Sequence, residues 1–472
     1  MIEYRQLLFD QLTPISIYAK LKEKFEGELS FLFESAINSE KGNYSFIFIG
    51  ANERISYKDK ITTITDNNGK KREIVENPFS FLKSYYKKID TKPYLKLSHK
   101  LDIGYIDGFV GFIGYDAVKI FEPTLEKYMN HLKDELHTPD LDLIRPKLVL
   151  AFSHKSNKLT LIAHDKNYAK KLDSLINYLQ EPYESIKIKK SAIDSTLGTF
   201  AFSKEQFFKM IDDSKEMIKS GDIFQILMSN RFTQYAKIDT LSFYRVLRSQ
   251  NPSPYMFLLD FNDFSIIGSS PEVMVGLHDK HILLRPIAGT RRRGDTIQRD
   301  QELADEMLND EKECAEHLML VDLGRNDVGR VAKTGTVKVT EMMRVEKYSH
   351  VMHMVSDIDA LLDDKHDMFD LFAATFTAGT MTGAPKIRAM ELIAKYEGIK
   401  RGFYSGSVGY FGFDGNMDSA IAIRTAWKND EKIVFQAGAG VVADSQKELE
   451  YLEVNNKLGA MMSTLEKLNI EK

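Results

Sequence analysis

The chain has 472 residues, of which 43% are apolar and 28% charged, with a formal net charge of −4 at pH 7. This composition is typical of a globular protein with one large fused core or two to three ordinary domains, and it excludes a fibrous or disordered chain. Charges of both signs are interspersed, so no nucleic-acid partner is expected. The first residues lack a signal-peptide pattern, and no apolar run approaches the ~20 residues of a membrane helix. We therefore expect a cytoplasmic protein without a membrane partner.

Strand-like patterns, with interspersed helices, dominate the first ~165 residues. Two apolar runs at 147–152 and 158–163 flank a polar turn and predict a β-hairpin. A polar stretch beginning at Tyr183 is rich in lysine and hydroxyl residues, which is typical of a linker. The sequence thus predicts an N-terminal region at 1–165, a linker at 183–198 and a larger domain at 199–472.

The larger domain begins with a helix signal, because Ser203 and Gln206 form a capping-box pattern. A second helix is predicted at 386–397, with proline before its start and glycine just past its end. Three strand-like runs between 403 and 442 predict an antiparallel meander, and Ser445 is expected to cap the last helix. Strand runs followed by helices, without regular alternation, indicate the α+β class.

Acidic side chains recur at helical spacing in two places. Glu313 and Glu316 are three positions apart in one predicted helix, and Glu450, Glu453 and Lys457 share one face of the last helix. Spacing alone favours solvated helix faces with an internal ion pair.

Five segments of the second half form a recognisable combination of motifs: Gly221–Gln225, Gly268–Glu272, Arg285–Thr290, Glu316–Asp327 and Gly379–Lys386. Together they resemble the chorismate-utilising enzymes, and the resemblance is specific from about residue 200 to 464. It implies a large, two-lobed α+β sandwich of mostly antiparallel sheets flanked by helices. It also implies that the N-terminal region packs onto a chorismate-binding catalytic domain at 199–472.

The resemblance changes the interpretation of the acidic pairs. Glu316 and Glu453 match the carboxylates that hold a magnesium ion in this family, and Mg²⁺ prefers oxygen ligands. The resemblance therefore implies Mg²⁺ as the cofactor.

Catalytic and substrate-binding roles can be proposed in the same way. Glu272 is the leading candidate for a general acid, although a turn residue would also fit its position. His353 matches the family histidine associated with pyruvate elimination, whereas the pattern alone favours a core histidine; His350 has no such match and is expected to be structural. The catalytic set comprises Glu272, Glu313, His353 and Thr380. The substrate-binding set comprises Gly289, Thr290, Tyr404, Arg424, Gly438, Ala439, Gly440 and Lys457, of which the glycines are equally typical of tight turns.

Two positions distinguish reactions within the family. Ala288 replaces the lysine of aminodeoxychorismate synthases and matches the alanine of anthranilate synthases. Gln225 replaces the lysine that activates water in isochorismate synthases. The resemblance thus implies amination of chorismate with ammonia and elimination of pyruvate to give anthranilate, the first committed step of tryptophan biosynthesis. The alternatives are an aminodeoxychorismate synthase component I and a catalytically silent regulatory protein that binds tryptophan or chorismate.

The source of ammonia is expected to be another chain. Cys314 is the only cysteine and lies between two glutamates in a predicted helix, where thiolate formation is disfavoured. A glutamine amidotransferase needs a nucleophilic cysteine with an activating base. We therefore expect a separate glutamine amidotransferase subunit and a hetero-oligomer.

A regulatory site is also implied. Residues 32–36 and 42–46 resemble the segment that binds L-tryptophan as a feedback inhibitor, and 251–257 match the other wall of that pocket. The pocket residues are Ser35, Pro254, Tyr255 and Met256. A hydrophobic strand and a proline-rich turn would explain the same residues, but a rigid loop with an aromatic ring and a methionine suits an indole.

Overall fold

The computed structural model describes residues 2–35, 44–184, 186–348 and 351–470. His350 and residues 36, 42 and 43 of the expected tryptophan segments lie outside these ranges. Within them, no helix combines the length and the apolar character needed to cross a membrane.

The described ranges contain twenty-two strands, which in chain order are β1 (Glu3–Leu8), β2 (Ser30–Glu34), β3 (Tyr44–Lys58), β4 (Ile61–Asp66), β5 (Lys71–Ile74), β6 (Gly108–Ile113), β7 (Leu141–Ser153), β8 (Lys158–Ala163), β9 (Gly198–Phe200), β10 (Gln225–Tyr235), β11 (Tyr255–Asp260), β12 (Ser265–Ser270), β13 (Val273–His278), β14 (His281–Leu284), β15 (Ile287–Arg292), β16 (Lys338–Lys347), β17 (Val351–Leu361), β18 (Gly383–Ala384), β19 (Ser407–Gly412), β20 (Met417–Ile421), β21 (Thr425–Lys428) and β22 (Lys432–Val441).

Fourteen α-helices lie in the same part of the chain, namely α1 (Pro14–Lys24), α2 (Pro78–Tyr86), α3 (Lys92–Leu101), α4 (Val118–Phe121), α5 (Glu126–Met129), α6 (Lys166–Ala169), α7 (Leu172–Gln180), α8 (Lys204–Lys219), α9 (Thr240–Gln250), α10 (Ile297–Leu308), α11 (Glu311–Gly329), α12 (Met368–Thr375), α13 (Lys386–Glu397) and α14 (Lys447–Leu468). Short 3₁₀ turns occupy Tyr115–Ala117, Pro123–Leu125, Ser195–Leu197 and Gly379–Met381.

The strands form one antiparallel network that folds into two layers. Hydrogen-bonded neighbours in the first layer follow the order β9, β10, β22, β21, β12, β11, β2. The second layer follows the order β6, β19, β20, β13, β14, β17, and both β15 and β16 pair with β17. The long strands β3 and β7 pair with each other and join the two layers. One half of this strand pair is bordered by β2 and β8, and the other half is bordered by β4 and β6.

Apolar side chains fill the space between the layers. Phe112 of β6 packs edge-on against Phe261 and Phe264 of the facing layer, with ring centroids 5.6 and 6.0 Å apart. A second core covers the outer face of the first layer, where Phe207 of α8 and Leu458 of α14 are buried. Helices thus flank a sandwich of antiparallel sheets, which confirms the expected α+β class.

The N-terminal region shares these sheets with the rest of the chain. Strand β2 pairs with β11, and β6 pairs with β19. The segment expected to be a linker is also held in place: the Ser191 amide donates to the Leu468 carbonyl at 2.8 Å, and the Lys189 amide to the Ser242 hydroxyl at 2.9 Å. The two regions therefore pack as parts of one sheet system.

Local signals located several elements correctly. The hairpin β7–β8 is present, and the Ser203 capping box begins α8. Both antiparallel pairings of the predicted meander are present, since β19 pairs with β20 and β21 with β22. Its middle strand is not continuous, because a break at Arg424 divides it into β20 and β21. Ser445 is not the N-cap of α14; that position is Gln446, and the Ser445 hydroxyl accepts a hydrogen bond from the Val442 amide at 3.0 Å.

Candidate active site

A cavity of about 490 Å³ opens where strands of both layers meet helices α11 and α14. Most of the residues predicted to act on or bind substrate line this cavity: Glu272, Glu313, His353, Thr380, Gly289, Thr290, Tyr404, Arg424, Gly438, Gly440, Lys457, Glu316 and Glu453. Ala439 does not, because neighbours in a strand face opposite sides, and its side chain is buried in the outer core.

Glu272 is a buried carboxyl at the wall of the cavity, directly after β12 and Pro271. Its Oε1 accepts a hydrogen bond from the Thr380 hydroxyl at 2.9 Å. Burial raises the pKa of Glu272 to about 7, and this effect outweighs the Thr380 hydrogen bond and the positive charges of Lys457 and Arg424, which lower it. A carboxyl with this pKa suits a general acid at neutral pH.

His353 lies on β17 across the same cavity. Its Nδ1 lies 3.1 Å from the Gly289 carbonyl oxygen and 3.1 Å from the Thr290 hydroxyl. Burial lowers the pKa of His353 below its ordinary value, so the imidazole is neutral at neutral pH. A neutral imidazole can accept a proton, which is the property that a general base requires.

Arg424 provides positive charge without a fixed partner. It stands between β20 and β21 with φ +50°, and its guanidinium makes no ion pair with any carboxylate of the described residues. Burial lowers its pKa, opposed by the electrostatic influence of Tyr404, Glu453 and Glu272. A guanidinium held beside a cavity is well suited to bind a planar carboxylate through two hydrogen bonds.

Lys457 and Glu453 form an ion pair at the mouth of the cavity. The Lys457 Nζ lies 2.5 Å from a Glu453 oxygen and donates to the Gly438 carbonyl at 2.9 Å. Lys457 is thereby directed toward the β22 edge of the cavity.

Carboxylates from α11 and α14 face each other across the cavity mouth. Burial raises the pKa of Glu316; Lys312 opposes this shift, and the negative charges of Glu313, Glu450 and Glu453 add to it. Such mutual repulsion is relieved when a cation binds between the carboxylates. The described residues contain no group of three or more His, Cys, Asp or Glu side chains already arranged as a metal cage. Two glutamates plus water and substrate oxygens suit Mg²⁺, which seldom uses an all-protein cage.

Close backbone approach explains the glycines of β22. A Cβ added to Gly438 would lie 2.6 Å from the Leu227 side chain, and one added to Gly440 would lie 2.8 Å from the Gln225 amide nitrogen. Any side chain at these positions would displace the cavity wall. The tight-turn alternative for these two glycines is wrong, because they lie within β22, paired with β10.

Several residues of the site were not predicted from the sequence. Gln436 and Lys312 line the cavity, as does Glu450, which the helical spacing had pointed to without giving it a role. Gln436 was detectable in principle, since it lies two positions before Gly438 on the same face of β22. Ala288 and Gln225, the two positions that distinguish reactions, also line the cavity.

A buried ion pair supports the cavity from behind. Arg401 and Glu397, both about 1% exposed at the side chain, are 2.7 Å apart. Arg401 also donates to the carbonyls of Met381 and Leu227, which belong to lining residues, at 2.8 and 2.9 Å. Because Glu397 ends α13, these bonds hold the Met381 and Leu227 walls of the cavity in place relative to that helix. Breaking the pair would leave an uncompensated buried charge.

The residues expected to bind tryptophan lie outside the cavity but close to each other. Met256 is the strand partner of Glu34, which directly precedes Ser35. The Glu34 carboxylate is buried and accepts hydrogen bonds from the Tyr244 hydroxyl at 2.6 Å and from Arg248 at 2.9 Å. The structure therefore joins two segments that are distant in sequence.

Cys314 lies on α11, as expected. Its thiol is partly buried and donates to the Leu308 carbonyl at 3.2 Å. This environment supplies no base to activate it.

The fold and the arrangement of the cavity define a class of enzyme. The chain belongs to the family of chorismate binding enzymes, which it matches over residues 29–463. It is 42% identical to the anthranilate synthase component 1 of Aquifex aeolicus, over 98% of this chain and 94% of that protein. The crystal structure of anthranilate synthase component I from Streptococcus pneumoniae matches with a TM-score of 0.77 and 32% identity, covering 90% of this chain and 93% of the other.

A further solved structure shows the same fold. The menaquinone-specific isochorismate synthase of Escherichia coli matches with a TM-score of 0.73 and 18% identity, over 98% of this chain and 95% of the other. At that identity the likeness concerns the fold alone. The resemblance to chorismate-utilising enzymes is confirmed.

Proposed function

We propose that this chain is the large subunit of an anthranilate synthase, which aminates chorismate with ammonia and eliminates pyruvate to give anthranilate, the first committed step of tryptophan biosynthesis. The observation that carries the proposal is one cavity lined by a buried carboxyl with a pKa of about 7, a neutral imidazole and a guanidinium that pairs with no carboxylate of the described residues. The relatives named anthranilate synthase component 1 and the alanine at position 288 support the choice within the family.

Binding begins with the two carboxylates of chorismate. The Arg424 guanidinium receives one of them through paired hydrogen bonds, and Lys457 adds positive charge at the β22 edge. Glu316 and Glu453 would hold Mg²⁺, which when bound neutralises a substrate carboxylate and orients the ring.

In the first step, the ammonia nitrogen bonds to ring C2, the ring double bonds shift and the C4–O bond breaks. Glu272 gives its proton to the departing hydroxyl, which leaves as water. The new ammonium group at C2 loses one proton, which returns the Glu272 carboxylate to its protonated form, so that the step is balanced.

In the second step, His353 removes the hydrogen at C2. Its electron pair completes the aromatic ring as the C3–O bond breaks and releases enolpyruvate, which takes up a proton to become pyruvate. Because burial lowers the pKa of His353, its imidazole is neutral and can accept the proton removed from C2.

Ammonia is the nucleophile in this proposal because neither Gln225 nor Ala288 supplies a lysine to the cavity. We infer that a separate glutamine amidotransferase subunit delivers it, since Cys314 lies on a helix with no activating base. L-Tryptophan is the proposed feedback inhibitor.

The test is incubation of the purified chain with chorismate, Mg²⁺ and an ammonium salt at alkaline pH, while the fluorescence of anthranilate is recorded. We expect product with ammonium but none with glutamine alone, and the same rate from Cys314→Ser. Glutamine-dependent product from the isolated chain would contradict the need for a partner.

The alternatives give different outcomes in the same assay. An aminodeoxychorismate synthase would consume chorismate and accumulate a non-fluorescent aminated cyclohexadiene that keeps the enolpyruvyl group, identified by mass spectrometry. A regulatory protein would bind chorismate without consuming it.

A further inference from the structure

The backbone beside His353 has an irregular register. Strand β15 pairs with β17 so that Ala288 lies opposite Met354 and Thr290 opposite His353. Gly289 is the extra residue between them, a β-bulge, and its φ of +61° lies in the left-handed region. A bulge with glycine in this conformation redirects the neighbouring backbone and side chains.

The bulge directs the Gly289 carbonyl at the imidazole. The oxygen lies 3.1 Å from Nδ1 of His353. A carbonyl oxygen only accepts hydrogen bonds, so this contact requires the proton to be on Nδ1. The Thr290 hydroxyl, also 3.1 Å from Nδ1, then accepts from the same N–H and keeps its own proton free.

We propose that Gly289 is a positioning residue which holds His353 as the Nδ1–H tautomer, so that Nε2 is the nitrogen that accepts a proton in the cavity. In a neutral imidazole only one nitrogen carries hydrogen, and the bond made by one nitrogen therefore sets the chemistry of the other. Nε2 makes no hydrogen bond to the described part of the chain. This assignment differs from the expected role of Gly289 as a substrate-binding backbone.

Glycine is favoured at this position because its φ of +61° lies in the left-handed region. A Cβ on Gly289 would also lie 2.8 Å from Glu313 Oε2 and 3.2 Å from the Met307 sulfur, so the ends of these two side chains would have to shift. The charged groups that influence His353 are Arg424, Lys457 and Glu346, and none of them contacts Nδ1. The carbonyl is thus the group that selects the tautomer.

The catalytic meaning of this tautomer rests on the proposed function, but the tautomer itself is measurable without substrate. The experiment uses the full chain with ¹⁵N-labelled histidine and long-range proton–nitrogen correlation spectra at neutral pH. Protonated and unprotonated ring nitrogens resonate far apart. The His353→Gln spectrum identifies the His353 signals among the eleven histidines.

We expect Nδ1 to be protonated and Nε2 unprotonated. The opposite pattern would mean that the Thr290 hydroxyl donates to Nδ1, and it would overturn the proposal. Thr290→Val removes that hydroxyl while keeping the carbonyl, so the tautomer should persist; a reversed tautomer in this variant would also overturn it.

Gly289→Ala tests the consequence. If it folds, we expect the Nδ1–H signal to weaken and kcat for anthranilate formation to fall by about 10²-fold, with a much smaller change in KM for chorismate. An unchanged tautomer in folded Gly289→Ala would contradict the assignment. If Gly289→Ala does not fold, the wild-type and Thr290→Val spectra decide alone. Failure of the anthranilate assay with the expected tautomer present would refute the proposed function and leave this assignment standing.

Discussion

At the scale of single residues, Glu272 shows how two opposing effects set one pKa. Burial disfavours the charged carboxylate and raises the pKa, while the Thr380 hydroxyl donates to the carboxylate and lowers it. The net result, a pKa of about 7, keeps a substantial fraction of Glu272 protonated at neutral pH. The proton-donating form is the one present below this pKa.

Removing the Thr380 donor should therefore extend activity to higher pH. In Thr380→Val the ionised form of Glu272 loses its hydrogen bond, so its pKa rises further and the protonated acid persists at more alkaline pH. In the pH profile of kcat/KM for chorismate, measured at a fixed concentration of free ammonia, we expect the alkaline limb to shift to higher pH.

Thr380→Ser is the matched control, since it retains the hydroxyl and should keep the wild-type limb. A limb that stays in place in Thr380→Val, or moves to lower pH, would show that Glu272 is not the group that titrates.

Arg424 illustrates a residue whose backbone conformation the sequence did not predict. Its left-handed backbone, with φ +50°, interrupts an otherwise continuous strand. Non-glycine residues in this conformation carry a cost of order 1–3 kcal/mol, which surrounding packing must offset. Nothing in the residues 423–425 signals that break, because isoleucine and threonine favour strands.

At the scale of elements, α11 and α14 bring the acidic residues together. Glu316 and Glu453 lie on different helices, and the negative charge of Glu453 contributes to raising the pKa of Glu316. Neither helix alone forms a metal site. The site depends on the packing of two elements that are separated by more than a hundred residues.

We predict that Glu316→Gln and Glu453→Gln each raise the Mg²⁺ concentration for half-maximal activity by more than about tenfold. The amide lacks the charge that a hard cation requires, so turnover is lost at metal concentrations that saturate the wild type. The melting temperature of Glu316→Gln should be unchanged or higher, because this substitution relieves repulsion from the neighbouring carboxylates. Mn²⁺ binding measured by electron paramagnetic resonance gives a readout independent of activity.

Glu448→Gln is the control, since Glu448 lies on α14 together with Glu453 but outside the cavity lining. Wild-type metal affinity in both test variants would exclude these glutamates as ligands.

The elements that the sequence predicted are those fixed by local signals. The capping box at Ser203 and the glycine after α13, which adopts φ +64°, determine helix ends within a few residues. The β7–β8 hairpin follows from two apolar runs and one turn. Pairings such as β2 with β11 join residues more than two hundred positions apart, and no local pattern encodes them.

In the candidate site, too, the sequence predicted which residues take part but not the contacts between them. Glu272, His353 and the acidic residues were named through motifs of the family, and the structure places them in one cavity. The contacts that tune them, such as that of the Thr380 hydroxyl with Glu272 or of the Gly289 carbonyl with His353, arise where elements distant in sequence meet in the fold. Their distances depend on packing, which spacing along the chain does not report.

At the scale of the whole molecule, the shared sheets connect the two ends of the chain. The expected tryptophan pocket lies where β2 of the N-terminal region pairs with β11. None of its residues lines the active-site cavity. The Tyr255 hydroxyl lies 3.4 Å from the half-buried Asp418 of β20, a strand that belongs to the facing layer. Tyr255 thus connects the expected pocket to the facing layer.

We predict that tryptophan inhibits without overlapping chorismate, and that Ser35→Arg weakens the inhibition. Inhibition at a distance requires unequal affinity for two conformations, typically with a coupling of about 1–3 kcal/mol. A long cationic side chain at Ser35 would occupy the expected pocket and place charge where an indole ring would lie. The concentration for half-maximal inhibition should rise about tenfold or more, with little change in kcat.

Ser249→Arg, the same substitution on the exposed face of α9, should keep normal inhibition. Full tryptophan sensitivity in Ser35→Arg, or a ligand-bound structure with tryptophan in the active-site cavity, would refute this regulatory mechanism.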